Sequence, residues 1–110
     1  MTDIPQHDWR TFLERLAREH RAWLATVEEN GRIAALQQPL HSIRADGAIE
    51  IRLGADAIRV DEPRAVRLEQ TPSGAAQALE IDGHGGQRVI LRFRVAEPPG
   101  VLDGVAPAER

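Results

Sequence analysis

Cysteine is absent from the chain, and with it go disulfides, thiol nucleophiles and thiolate metal sites. Lysine is absent too. All 14 basic residues are arginine, which removes Schiff-base chemistry and the lysine of a P-loop. The lack of tyrosine takes away a further acid–base group. No apolar run approaches the length of about 20 residues that a membrane-crossing helix needs. The opening MTDIPQHDWR has neither the basic start nor the apolar stretch of a secretory leader, so the expected compartment is the cytoplasm and no membrane partner is expected. An excess of positive charge is also missing. The formal net charge is −3, which argues against a nucleic-acid partner, since such binding needs cationic excess along a groove.

What is present fits one domain. A length of 110 residues suits a single core, and 42 % apolar with 28 % charged content argues against wholesale disorder. Arginine in place of lysine, with abundant Ala, Gly and Pro, suggests GC-rich coding and a bacterial source. No repeat or linker divides the chain. Residues 1–105 read as a single α+β domain and 106–110 as a frayed C-terminal tail, with Val101 and Leu102 as the residues that would pin the irregular segment before it.

A helix comes first. At 100° per residue Trp9, Phe12, Leu13, Leu16, Ala17 and His20 fall within one arc of about 140°, and Arg10, Glu14, Arg15, Arg18 and Arg21 fall opposite. This predicts a helix over residues 8–20, with Asp8 as N-cap and Glu14–Arg18 as an i,i+4 pair.

The period then changes from 3.6 to 2. Trp23, Ala25 and Val27 alternate with Leu24 and Thr26, and Asn30-Gly31 is a strong signal for a two-residue hairpin. The next strand is expected to stop before Pro39, which cannot donate to a ladder. Beyond a short LHSIRA segment and a second turn at Asp46-Gly47 the alternation is clean. Ile49, Ile51, Leu53, Ile58, Val60, Val66, Leu68, Leu79, Ile81, Val89, Leu91, Phe93 and Val95 take the inner face. The fold class expected is α+β: the helix packed on a curved antiparallel sheet of six or seven short strands, a meander able to close into a small barrel.

Few motifs carry chemistry. His20, mid-stripe in the last helical turn, suits a base or a ligand, but a histidine there also meets the negative end of the helix dipole and bonds a free carbonyl, and that structural role is preferred. No two of His7, His20, His41 and His84 stand at i,i+2, i,i+3 or i,i+4, so a local metal pair is missing. Neither cofactor nor metal is expected. Asp-Gly-His-Gly-Gly at 82–86 leads into a strand rather than a helix, so it reads as a turn and not a dinucleotide loop. Ser42 and Ser73 lack a nucleophile-elbow context, and no catalytic residue is assigned. The outward arginines Arg52, Arg59, Arg67, Arg92 and Arg94 would suit carboxylate or phosphate binding, yet Glu50, Glu69, Glu80 and Asp82 share their positions, and cross-strand ion pairs account for the mixture. Trp9 and Trp23 are both expected in the core.

The helix start Asp8-Trp9-x-x-Phe12, the pair Trp23-Leu24, and the strand motifs Val66 to Glu69, Ala78 to Ile81 and Leu91 to Arg94 resemble a family of small bacterial proteins known as a domain of unknown function. The resemblance spans nearly the whole chain, rests on packing motifs, and implies a fold without an activity or cofactor. One departure is Ala22, where the family pattern carries a glycine before the tryptophan.

The sequence therefore points to a non-enzymatic domain acting through protein contact, as a homo-oligomer or on a separate protein partner. The alternative is a small anionic-ligand binder or minimal enzyme using Arg52, Arg67, Arg92, Arg94 and His20. The two differ in one observable: whether those arginines converge on a pocket. RNA binding by a small barrel is disfavoured by the charge and the lack of aromatic platforms.

Overall fold

A computed structural model describes residues 1–94. The expectations for Val95, Val101, Leu102 and the 106–110 tail lie outside the described residues. Within them are one α-helix, α1 (Trp9–Glu19), and eight strands: β1 (Thr2–Asp3), β2 (Leu24–Glu29), β3 (Arg32–Asp46), β4 (Ala48–Leu53), β5 (Asp56–Val60), β6 (Pro63–Gln70), β7 (Ala76–Gly83) and β8 (Arg88–Phe93). The class is α+β, as expected, with more strands than expected. The addition is β1, a two-residue strand that pairs with β6 through Thr2–Leu68 and Asp3–Arg67.

The apolar stripe of α1 is buried at Trp9, Leu13, Leu16 and Ala17, and Phe12 is half-buried at its margin. Two details of the helix differ from expectation. Asp8 is not a side-chain cap: it ends a 3₁₀ turn, Gln6–Asp8, that runs straight into α1, and its own N–H donates to Pro5 O at 2.9 Å. Glu14 and Arg18 stand too far apart for an ion pair, since no Arg18 nitrogen lies within 4.0 Å of a carboxylate among the described residues. The helix ends at His20, whose N–H is shared between Leu16 O (3.1 Å) and Ala17 O (3.3 Å). The chain then reverses through Ala22 at φ 72°, a left-handed conformation that an L-residue with a Cβ disfavours.

The strands form one antiparallel sheet in the order β1-β6-β7-β8-β2-β3-β4-β5. It is two meanders, β2 to β5 and β6 to β8, joined where β8 lies against β2 with Ala25 opposite Phe93 and Glu29 opposite Val89. Strands β5 and β6 lie near opposite ends of this order, yet only Asp61 and Glu62 connect them. So short a link forces the sheet to roll until its ends approach. At the approach Gln87 Nε2 donates to Arg59 O (3.1 Å) and His84 N–H donates to Glu62 O (2.9 Å). The roll stops short of a ladder between β5 and its neighbours across the gap, so the barrel is not closed.

Strand β3 makes the roll possible. It is continuous for 15 residues where two short segments were expected. Its pairing skips a residue at Ala34, again at Leu36–Gln37 and again at His41, and each bulge bends the strand and adds twist. Gln37 takes φ 45° at the second of them. Pro39 sits inside the strand without penalty because β3 changes partner there, from β2 (up to Leu24–Pro39) to β4 (from Leu40–Leu53).

The inner face is the one the alternation predicts. Ile49, Ile51, Leu53, Ile58, Val60, Val66, Leu68, Leu79, Ile81, Val89, Leu91 and Phe93 are all buried, and with Leu13 and Leu16 of α1 they form one core cluster. Trp9 belongs to it and donates its indole N–H to Ile4 O at 2.8 Å. Trp23 does not. At 37 % exposure it stands outside the core, because the reversal at Ala22 turns the chain before β2 starts at Leu24.

Candidate functional site

The outward arginines do not converge. Arg67 on β6 faces Glu80 on β7, donates to it through Nε at 2.7 Å, and donates through Nη2 to Asp82. Arg88 on β8 closes the group with a 2.9 Å bond to the other Asp82 oxygen. The Arg67, Glu80 and Asp82 side chains are each about one-quarter exposed or less, so the cluster is partly desolvated and its charges compensate one another. The two carboxylates hold the Arg67 guanidinium well above its ordinary pKa through hydrogen bonds, Asp82 first. Burial alone would push the Asp82 carboxyl up, but the hydrogen bonds from Arg67 and Arg88 outweigh it and hold the group below its ordinary value.

The other predicted residues are scattered. Arg92 lies 3.5 Å from Glu28, two strands from Arg67. Arg52 is on β4, 3.8 Å from Glu50. Arg94 is exposed at the end of β8, where its backbone N–H donates to Leu24 O. Arg59 binds Asp61 at 2.6 Å. Most of the arginines that the alternation put outside thus have an acid beside them, across strands for Arg67 and Arg92 and two residues along the chain for Arg52 and Arg59.

His20 is half-buried between two aromatic rings. It stacks on Phe93 with centroids 4.7 Å apart and meets Trp23 edge-on at 4.6 Å. Its Nδ1 lies 2.8 Å from Leu16 O. A carbonyl only accepts, so Nδ1 is the donor of this bond. His20 borders a hollow of about 270 Å³ between α1 and the β6–β7 turn, floored by Leu16, Leu68 and Ala76 and edged by Arg15, Glu19 and Gln70. No serine or threonine that would serve as a nucleophile borders it, and of the outward sheet arginines none does. The contacts that His20 makes are those of a helix terminator wedged under two rings.

Two features escaped the sequence. The first is the outer side of the β2–β3 hairpin. Ile33 is 61 % and Leu36 60 % exposed, the largest exposure of any large apolar side chain after Met1 among the described residues. From Arg32 to Gln38, β3 is paired on its β2 side only, because β4 joins the opposite side from Leu40 onward. The second is a pair of adjoining hollows, of about 300 and 290 Å³, that share His41, Ser42 and Arg44. Arg18 and Arg21 edge the first and Arg52 the second. Detecting either feature requires knowing where β3 bulges and how α1 lies beside it, which a period-2 pattern does not encode.

Among the described residues no group of three His, Asp or Glu is placed to hold a metal ion, and no helix is long and apolar enough to cross a membrane. No protein-family model, curated protein or solved structure matches the chain, so its function has to be read from the geometry of its own residues.

Proposed function

We propose that the protein is a non-enzymatic cytoplasmic binding domain that acts through protein–protein contact, with a second copy of the chain as the first partner to test. The observation that carries this reading is the exposure of Ile33 and Leu36, at 61 % and 60 %, beside a half-strand of β3 that lacks a neighbour among the described residues. Exposed apolar side chains next to unpaired main-chain groups are a common basis for association. The bulges at Ala34 and Leu36–Gln37 interrupt the regular edge, so the contact is made chiefly by side chains and not by extending the sheet. The rival reading, an anionic ligand or a minimal active site built on Arg52, Arg67, Arg92, Arg94 and His20, loses support because those residues are dispersed over β4, β6, the end of β8 and the end of α1, and Arg52, Arg67 and Arg92 have carboxylate neighbours.

Sedimentation velocity across the micromolar range tests the proposal. The expected result is a concentration-dependent shift to dimer that Ile33→Glu with Leu36→Glu abolishes. Both side chains are exposed, so the double variant keeps its fold. A strict monomer, or a dimer indifferent to those two substitutions, overturns the reading.

A further inference from the structure

The adjoining hollows between α1, β3 and β4 carry an inference separate from the hairpin. Three arginines border them without a contact ion pair, although Glu50 stands opposite Arg44 in the β3–β4 register. Among the described residues no carboxylate lies within 4.0 Å of Arg18, Arg21 or Arg44, whereas Arg10, Arg52, Arg59, Arg67, Arg88 and Arg92 all have one. The acids in the lining are Glu14 and Glu50, so Arg18, Arg21, Arg44 and Arg52 leave a local surplus of positive charge in a chain of net charge −3.

Local backbone geometry gathers these groups. The bulge at His41 sets two residues of β3, His41 and Ser42, against the single residue Arg52 of β4, and both border each hollow. Ser42 adds a half-buried hydroxyl. Arg44 is two residues further along the strand, while Arg18 and Arg21 approach from the last turn of α1 and the residues that follow it. The result is a concave surface with guanidinium groups from three elements, a hydroxyl donor and an imidazole. Planar guanidinium forks recognise tetrahedral oxyanions by paired N–H donors, and several around one hollow offset the loss of hydration of a doubly charged group.

We propose that this surface is a binding site for a phosphate group, free or carried as a monoester, with Arg44 at its centre. The test uses the full chain, isotope-labelled, at constant ionic strength. Inorganic phosphate, O-phosphoserine and a nucleoside monophosphate are titrated separately while the amides of Ser42, Arg44 and Arg18 and the arginine Nε–H signals are followed by NMR. Saturable shifts confined to these residues are expected, with a dissociation constant of about 1 mM or tighter. Arg44→Gln and, independently, Arg18→Gln should each weaken binding about fivefold or more. Arg64→Gln, at an exposed arginine bonded to His84, should leave it unchanged. Two substitutions on different elements guard against a folding defect in either one. Tighter binding of one ester supports the site and identifies the carrier, and equal binding of all three supports a site for the phosphate group alone. The proposal is overturned by linear, unsaturable shifts, by shifts spread over the outward arginines generally, or by affinity that survives Arg44→Gln.

Discussion

Replacing Ala22 by glycine should stabilise the protein. Ala22 holds φ 72° at the reversal between α1 and β2, where its backbone N–H donates to Leu40 O at 2.8 Å. The left-handed region costs an L-residue about 1–2 kcal/mol through the crowding of Cβ against carbonyl oxygen, and glycine avoids that cost. Glycine gives back about 0.5–1 kcal/mol because its unfolded chain is freer. The Ala22 methyl is exposed, so no packing is lost. At the middle of both ranges the net gain is about 0.5–1 kcal/mol, small beside a typical domain stability but readily measured. In urea, with a slope of about 1 kcal/mol per molar for a domain this size, the midpoint should rise by about 0.5–1 M at unchanged slope. Ala22→Val, which crowds the same torsion further, should lower it. If Ala22→Gly leaves the midpoint unchanged or lowers it, the reversal is not strained and the reasoning fails.

Other substitutions probe other parts of the fold. Gly83→Ala would bring a Cβ to 2.7 Å from Val60 Cγ1, where β5 curls back towards β7, so it should cost about 1–3 kcal/mol by calorimetry. Leu13→Ala, which empties the fully buried centre of the α1 stripe, should cost about 2–5 kcal/mol in the same assay. Asp82 has a folded pKa below its unfolded value, so its contribution to stability is fully present above the unfolded value and is lost as pH falls through the folded one. Asp82→Asn should therefore lower the urea midpoint at neutral pH and flatten its decline on acidification below about pH 4. An unaltered acid limb would show that the cluster with Arg67 and Arg88 is not linked to folding.

The parts of the fold legible in the sequence are those set by local chemistry. Asn30-Gly31 predicts its hairpin because both residues must take positive φ, which they do at 52° and 83°. Alternation from Ile49 to Phe93 assigns each side chain to its face, since a strand has no other way to bury one set and wet the other. It does not identify the strand alongside, and so it leaves the pairing of β8 with β2 unspecified. Bulges leave no composition signal, which is why Pro39 read as a stop and β3 as two pieces. The same gap governs the site. Self-pairing of Arg67 with Glu80 and Asp82 follows from alternation with mixed charge, whereas the assembly of Arg18, Arg21 and Arg44 depends on where α1 settles beside β3.

The Asp61-Glu62 link has a consequence for how the chain comes to its native form. It ties together two meanders whose main shared ladder, β2 with β8, is remote in sequence, so Ala25 must wait for Phe93 to be synthesised before it gains that neighbour. Until then the first meander is a ribbon with one flank open, and the link serves as a tether that keeps the late hairpin close to its berth. Nicking the backbone between Asp61 and Glu62 would remove that tether and leave every ladder in place, so two fragments divided there should reassemble, more slowly than the intact chain collapses and at a rate set by their concentration.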